Sequence, residues 1–382
     1  MAPAAQSPLP RRDTRALDDA LLSRFEDAGF ARLDPPILQP ADVFLDLSGE
    51  SIRRRLYLTT DADGVELCLR PDLTIPVARE LLATGMSLPA SVSYLGPVFR
   101  FRGEGSGEFR QAGVESFGRS DSEAADADIL GLGLETCAIY NVPEPQIRLG
   151  DVGLFSALLD ALPLAPAWRR RLMKDFGQGR LTADITRLGA ARPANGAGHA
   201  GVLTALAGAD PEGAKALVTD LLSIAGITTV GGRSVSEIAA RFLEQAALDA
   251  GDSVPAETSL LLSRYLSISG DPDAASARIR DLMAEAGLDL SAALERFDRR
   301  SGFLTTKGIN LPDVAFSTAF GRPLDYYSGM VFELHDPAGR VNGPLVAGGR
   351  YDPLMTRLGA RQPVPAVGLA AWLERLAVVE GA

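Results

Sequence analysis

The feature of this 382-residue sequence that most constrains its fold is a long helical stretch interrupting a strand-rich chain. From about residue 151 to 300 the sequence is rich in Ala and Leu at helical spacing, whereas strand signals occupy both flanks. Val65–Leu69 follows Asp61–Gly64, whose Asp-Gly pair is typical of a hairpin turn. Because hairpins rather than regular helical crossovers join the strands, the pattern predicts an α+β fold: a mainly antiparallel sheet flanked by helices and split by a helical insertion.

Four segments follow from this pattern. Residues 1–12 lack the apolar stretch of a secretory signal and are predicted to form a disordered lead. Residues 13–150 and 301–382 form the two parts of the α+β core, and residues 151–300 form the insertion. In the second part of the core, Val341–Val346 is predicted to be a strand that ends before the paired glycines 348 and 349.

Composition narrows the classes of function. The formal net charge is −11 and no dense Lys/Arg run occurs, which opposes binding to nucleic-acid phosphates. No apolar run is long enough to cross a bilayer. Cys68 and Cys137 lie in apolar surroundings typical of buried free thiols in a cytoplasmic protein, and His199 and His335 are too few for a Cys/His metal site. We therefore expect no membrane, no tRNA, no metal and no cofactor.

Two segments in the first part carry polar residues that suit a binding site. Asp72 and Thr74 lie near a predicted helix start, where capping the helix is the ordinary role and ligand binding the alternative. Gln111 and Glu115 alternate along a strand and share a face, which forms either a solvated surface or the floor of a polar pocket. Arg100 lies among apolar neighbours on the preceding strand, which favours a paired charge.

Three further segments lie in the second part. Arg322–Tyr327 places an arginine and two tyrosines between apolar strands; Gly348–Asp352 follows, and Ala366–Leu376 comes last. An arginine fork suits a carboxylate, and a tyrosine hydroxyl can donate to or accept from an imidazole nitrogen. Each segment alone is a weak signal, but the five in this order are specific.

In this order the segments resemble the catalytic core of histidyl-tRNA synthetases over residues 13–150 and 301–382, which implies a class II aminoacyl-tRNA synthetase-like fold. Arg70–Thr74 matches the family's Arg-Pro-Glu-Gly-Thr segment, and Val98–Glu115 matches its motif 2. Arg322–Tyr327 and Gly348–Asp352 match its two histidine-specific segments, and Gly368–Arg375 matches motif 3.

The resemblance implies a binding site for histidine. Asp72, Thr74 and Gln111 would hold the α-amino group of the ligand, and Arg322 would face its carboxylate. The imidazole nitrogens would be bound by Glu115 and Tyr327. The walls would be Tyr326 and Tyr351, and Arg100 would also belong to the site. Charge-assisted hydrogen bonds at both ends of a zwitterion, with polar groups for the ring, suit such a ligand.

The sequence departs from the synthetase pattern at positions that the resemblance places near ATP. Arg102 stands where the family has a glutamate, and Gly103–Glu108 is acidic where the family carries arginines. Trp372 replaces a glycine close to where adenine would stack, while Arg375 remains and has a structural ion pair as its ordinary role. Because adenylation needs cations already aimed at the phosphate, these departures imply that it has been lost.

The chain ends within ten residues of the motif 3 match, so the resemblance implies that no anticodon-binding domain follows. The whole pattern is similar to the regulatory subunits of ATP phosphoribosyltransferase in histidine biosynthesis. It implies a non-catalytic subunit that binds histidine and activates and feedback-regulates a short catalytic subunit. The subunit would form a homodimer, through its first helix and Leu33–Pro40, within a hetero-oligomer. A histidine-adenylating enzyme with a non-tRNA acceptor and a histidine-sensing adaptor for another partner remain open.

Overall fold

The computed structural model describes residues 14–47, 52–102, 106–177, 179–181, 216, 220, 224, 254–322, 324 and 326–381. The predicted lead at residues 1–12, half of the acidic loop (residues 103–105), His199 and the middle of the predicted insertion lie outside the described residues. The chain divides into two compact units, one of residues 1–158, 177–179 and 265–382 and one of residues 159–176 and 180–264.

A large sheet forms the centre of the first unit. Its described strands, in spatial order, are β1 (Ala31–Arg32), β5 (Ala90–Phe99), β6 (Glu108–Phe117), β12 (Ala366–Trp372), β11 (Val346–Arg350), β10 (Met330–His335), β7 (Gln146–Asp151), β9 (Val314–Ser317) and β8 (Ser269–Gly270). Only the β1–β5 and β7–β9 pairings among these strands are parallel. The predicted α+β fold with a mainly antiparallel sheet is confirmed.

A smaller sheet of three strands lies beside it, in the order β2 (Leu38–Pro40), β4 (Glu66–Leu69), β3 (Leu58–Thr60). The predicted hairpin is present, since β3 and β4 pair with Leu58 opposite Cys68. Its turn is held by the Asp61 carboxylate, which accepts hydrogen bonds from the backbone N–H groups of Asp63 (3.0 Å) and Val65 (2.8 Å). Gly64 of the Asp-Gly pair takes a positive φ of 82°, which suits the turn, and the side-chain bonds that close the turn come from Asp61 rather than from that pair.

The described helices are α1 (Arg15–Asp27), α2 (Ala41–Leu47), α3 (Thr74–Thr84), α4 (Ser122–Ile139), α5 (Val152–Ala161), α6 (Pro166–Gly177), α7 (Ala256–Leu266), α8 (Pro272–Ala286), α9 (Ser291–Thr306), α10 (Pro353–Arg357) and α11 (Leu373–Glu380). Helix α1 buries Leu21 and Phe25, which lie four residues apart on one face. Among the described helices, none is long and apolar enough to span a bilayer. Cys68 and Cys137 are buried and free, as predicted.

The predicted insertion, residues 151–300, is longer than the second unit, which ends at residue 264. Helices α8 and α9 belong to the first unit instead. In α9, Arg300 forms buried ion pairs with Asp126 of α4 and with Asp151 at the end of β7. Helical spacing in a sequence predicts a helix but does not show which sheet it packs against, and the boundary at residue 300 stays a prediction.

The predicted strand Val341–Val346 is also displaced, because β11 begins at Val346 and contains Gly348 and Gly349. Glycines are poor strand formers, so their presence inside a strand calls for a local reason. A Cβ atom on Gly348 would lie only 2.8 Å from the ring of Phe332 on the neighbouring strand β10. The close approach of the strands therefore requires glycine inside β11.

Candidate functional site

Glu115, on β6, is the centre of a buried polar cluster and is 1% exposed. Its Oε1 accepts hydrogen bonds from the hydroxyls of Thr74 (2.7 Å) and Tyr94 (3.2 Å), and its Oε2 accepts one from the hydroxyl of Tyr351. We call these four side chains the Glu115 cluster. Burial raises the pKa of Glu115 to about 7, although the three hydroxyl donors act to lower it. The carboxylate therefore titrates near neutral pH.

Glycines on the same face make room for this cluster. Strand pairing places Gly368 of β12 opposite Glu115 and Gly113 of β6 opposite Tyr94. A Cβ atom on Gly368 would collide with the Glu115 carboxylate and lie 2.6 Å from the carbonyl oxygen of Val114. A Cβ atom on Gly113 would collide with the Tyr94 ring. The absence of side chains at both positions lets the carboxylate and the tyrosine meet.

Asp72 precedes α3 and uses only one of its carboxylate oxygens within the described structure. Its Oδ1 accepts a hydrogen bond from the backbone N–H of Ile75 (3.2 Å), which is the helix-start role. Its Oδ2 is buried without a hydrogen-bond partner among the described residues. Burial raises the pKa of Asp72, and the nearby positive charge of Arg100 opposes this shift. Asp72 thus bonds to the first turn of α3 through Oδ1, and its Oδ2 can still accept a hydrogen bond.

Gln111 lies on the same face of β6 as Glu115 and is 1% exposed. Its side-chain Oε1 is buried and has no hydrogen-bond partner in the described part of the chain. Strand pairing places it opposite Trp372, and the guanidinium of Arg375 lies 5.0 Å from the Trp372 ring centroid. Arg375 also donates to the carbonyl oxygen of Pro344 (2.6 Å). The face carrying Gln111 is therefore buried, which excludes the solvated-surface interpretation.

Arg322, expected at the ligand carboxylate, already has an internal carboxylate partner. Its guanidinium donates to Oε1 of Glu333 on β10 (3.0 Å) and lies 5.9 Å from the ring centroid of Tyr327. Its Nε is buried without a partner among the described residues. Glu333 was not among the predicted site residues, although a charged residue between the apolar residues Phe332 and Leu334 was an available signal.

Three tyrosines pack against one another beside the Glu115 cluster. The ring centroids of Tyr326 and Tyr327 are 5.2 Å apart, and the Tyr351 centroid lies 5.8 Å from the first and 6.5 Å from the second. Tyr94 was not predicted to take part, yet its hydroxyl contacts both Glu115 and the carbonyl oxygen of Leu369 (3.2 Å). Only the pairing of β5 with β6 reveals its place.

Positive charges accumulate next to these residues. Arg100 donates to the carbonyl oxygen of Pro71 (2.6 Å) and lies 5.5 Å from the ring centroid of Phe109. The guanidinium of Arg102 lies 3.9 Å from the same ring. Burial, together with the charges of Arg102 and Arg100, lowers the pKa of Arg375 to about 10. The structure thus brings all nine predicted residues into one region of the first unit and places the cations Arg102 and Arg375 beside them.

Known proteins match this chain over most of its length. A family model described as histidyl-tRNA synthetase matches residues 7–230 and 213–376. The ATP phosphoribosyltransferase regulatory subunit of Brucella anthropi is 40% identical over 357 residues, which cover 91% of this chain and 92% of that protein. The Brucella canis protein of the same name is 39% identical over 353 residues, with the same coverage. The chain belongs to the family of ATP phosphoribosyltransferase regulatory subunits.

Solved structures resemble the chain in fold. A histidine–tRNA ligase subunit from Alicyclobacillus acidocaldarius is 28% identical with a TM-score of 0.60, covering 99% of this chain and 96% of that one. A second solved structure is a Bacillus halodurans protein described as an ATP phosphoribosyltransferase regulatory subunit/histidyl-tRNA synthetase. Its TM-score is 0.70 at 19% identity, and the match covers 99% of this chain and 82% of that one. At this identity the likeness supports the fold alone. The predicted class II synthetase-like fold is confirmed. So is membership in a family of regulatory, non-catalytic subunits.

Proposed function

We propose that this chain is the non-catalytic regulatory subunit of ATP phosphoribosyltransferase. That enzyme catalyses the first step of histidine biosynthesis. In this proposal the chain binds histidine as its regulatory signal. One observation carries the proposal of histidine binding. Three residues expected at the ligand's charged ends each keep a buried polar atom without a hydrogen-bond partner among the described residues. These atoms are Asp72 Oδ2, Gln111 Oε1 and Arg322 Nε.

The chemistry of these atoms suits an amino acid. An unpartnered buried polar group costs roughly 1–3 kcal/mol, which a ligand recovers when it supplies the missing partner. The free oxygens of Asp72 and Gln111 are acceptors and suit an ammonium group, whereas the Nε–H of Arg322 is a donor and suits a carboxylate. Glu115 accepts from a ring N–H, and the hydroxyl of Tyr327 can serve the other nitrogen. Together these groups match histidine at each of its polar ends.

Regulation requires that histidine bind one state of the assembly better than another. A coupling of about 1–3 kcal/mol between the histidine site and the catalytic subunit is the usual size of such an effect. In this proposal the subunit activates a short catalytic partner and transmits feedback inhibition by histidine. The proposal includes a cytoplasmic location and no role for tRNA.

The proposed assembly contains a homodimer of this chain, for which an exposed apolar surface offers support. The exposed apolar side chains around the small sheet are Ile37, Leu38, Tyr57, Leu58 and Phe101. They include residues of the edge strands β2 and β3, and part of the surface belongs to the segment Leu33–Pro40. Large apolar patches of this kind mark protein interfaces. Leu38→Asp should convert a dimer to a monomer in sedimentation experiments, and an unchanged assembly would contradict this interface.

Calorimetric titration with histidine tests the site. Glu115→Ala and Arg322→Ala should each weaken binding by about 2–5 kcal/mol, since the first removes the charged acceptor for the ring N–H and the second leaves the ligand carboxylate and Glu333 without their cation. Asp298→Asn is a matched control, because it removes a carboxylate that pairs with an arginine on the neighbouring helix α8. Unchanged affinity in both alanine variants would contradict the site assignment.

A second titration tests the regulatory role. The transferase rate of a short catalytic subunit should rise when this chain is added and fall again with histidine. Arg322→Ala should still raise the rate but should require more histidine to lower it. A transferase rate that changes neither when this chain is added nor when histidine is added would refute the regulatory proposal.

The nearby arginines favour one competing function, a histidine-adenylating enzyme. Arg100, Arg102 and Arg375 lie close enough for their charges to interact, and cations aimed at a phosphate are what adenylation requires. Histidine-dependent exchange of pyrophosphate into ATP separates the two functions. Clear exchange by the isolated chain would favour the enzyme, whereas a regulatory subunit should give none.

A further inference from the structure

Glu333 occupies a position that the predicted contacts with histidine leave unexplained. It lies on β10 opposite Ala347 of β11 and Arg148 of β7. Its Oε1 accepts from Arg322 (3.0 Å), and its Oε2 lies 2.9 Å from Nε2 of His335. Both carboxylate oxygens are therefore engaged by side chains of this chain.

The carboxylate also lies on the same face of the large sheet as Glu115. Strand pairing runs from Glu115 through Gly368 and Gly349 to Val331, and Glu333 follows Val331 by two residues. Residues two apart on a strand point to the same face. Glu333 therefore belongs to the surface that carries the Glu115 cluster.

Glu333 carries a negative charge at neutral pH. Burial acts to raise its pKa, but the hydrogen bond with His335 and the positive charge of Arg322 outweigh burial and lower it. A ligand carboxylate that approaches Arg322 would meet this charge. Two carboxylates that share one guanidinium repel each other, and like charges placed together at a binding surface weaken binding.

We propose that Glu333 is an internal competitor for Arg322 that sets the affinity of the site for the carboxylate of histidine. The inference rests on the proposed function, because it assumes that histidine binds at this site. Glu333 holds the guanidinium in place when the site is empty and opposes the ligand carboxylate when histidine arrives. It thereby sets the histidine concentration at which the subunit responds, and it acts on the carboxylate end of the ligand alone.

The experiment compares histidine with histamine, which keeps the imidazole and the amine but has no carboxylate. Calorimetry on the full chain should show that Glu333→Gln tightens histidine about tenfold, the effect of one hydrogen bond to a charged group. Histamine affinity should stay the same. Glu333→Ala should also tighten histidine and leave histamine affinity unchanged, and Asp298→Asn should change the affinity for neither ligand. Thermal unfolding checks that each variant is folded.

A double-mutant cycle tests whether the effect passes through Arg322. In an Arg322→Ala background, the tightening of histidine by Glu333→Gln should differ in size from that in the wild-type background, because the cation for which the carboxylates compete is gone and only their direct repulsion remains. Weaker histidine binding by Glu333→Gln, or equal changes for histidine and histamine, would overturn the inference and leave Glu333 a structural role. Failure of the wild-type chain to bind histidine would instead refute the proposed function.

Discussion

Replacing Glu115 by glutamine removes a buried ionisable group and should change how stability depends on pH. The pKa of Glu115 rises from its usual 4.5 to about 7 because the side chain is fully buried. The folded chain therefore holds this proton more tightly than the unfolded chain. The resulting stabilisation is fully present below pH 4.5, falls as the pH rises and is lost above about pH 7.

The size of the effect follows from the two pKa values. A shift of about 2.5 pH units corresponds to about 3 kcal/mol in the free energy of unfolding. Glutamine has no proton to lose, so the variant lacks this dependence. The unfolding free energy of Glu115→Gln minus that of the wild type should therefore become more positive by about 3 kcal/mol between about pH 4.5 and 8.

Urea unfolding at a series of pH values, followed by circular dichroism, measures this difference. Other groups titrate in both proteins, and subtraction removes their contribution. Saturating histidine should reduce the wild-type loss, since a ring N–H bound to the carboxylate favours its charged form. Parallel stability curves for the two proteins without histidine would show that burial does not raise the pKa of Glu115 and would refute the reasoning.

Three further predictions concern residues around the same cluster. Gly368→Ala should cost about 1–3 kcal/mol of unfolding free energy and abolish histidine binding, because the added Cβ collides with the Glu115 carboxylate; normal titration of histidine would contradict this. Arg350→Met should cost about 3–5 kcal/mol in urea unfolding, since it removes a buried guanidinium that binds Asp126 (2.8 Å). A loss below about 1 kcal/mol would show that the pair contributes little. Tyr351→Phe removes one donor from Glu115, so the pH midpoint of the Glu115 effect should move upward from about 7; an unchanged midpoint would exclude the contact.

Most of the fold could be predicted because its signals are local. The Asp-Gly turn, the helix spacing of Leu21 and Phe25 and the alternation along β6 each depend on residues close in the chain. The confirmed α+β fold and family follow from such signals and from the order of five short segments. The ion pairs of Arg300 could not be predicted from such signals, since they join helices and strands distant in the sequence.

For the candidate site, the sequence supplied the residue types and the tertiary structure decided their partners. Gln111 and Glu115 share a face because a strand alternates, which any single strand would show. Tyr94 reaches Glu115 only through the pairing of β5 with β6. The need for glycine at position 368 appears only when β12 lies against β6.

Sequence alone thus determined which chemical groups are present, the local elements that carry them and the family to which the chain belongs. Tertiary structure decided that Arg322 is held by Glu333, that Glu115 is bound by three hydroxyls and that single oxygens of Asp72 and Gln111 remain without partners among the described residues. The physical reason is that backbone periodicity fixes the direction of a side chain within its own strand. Its hydrogen-bond partner and its burial, and with them its pKa, depend on strand register and packing between segments far apart in the chain.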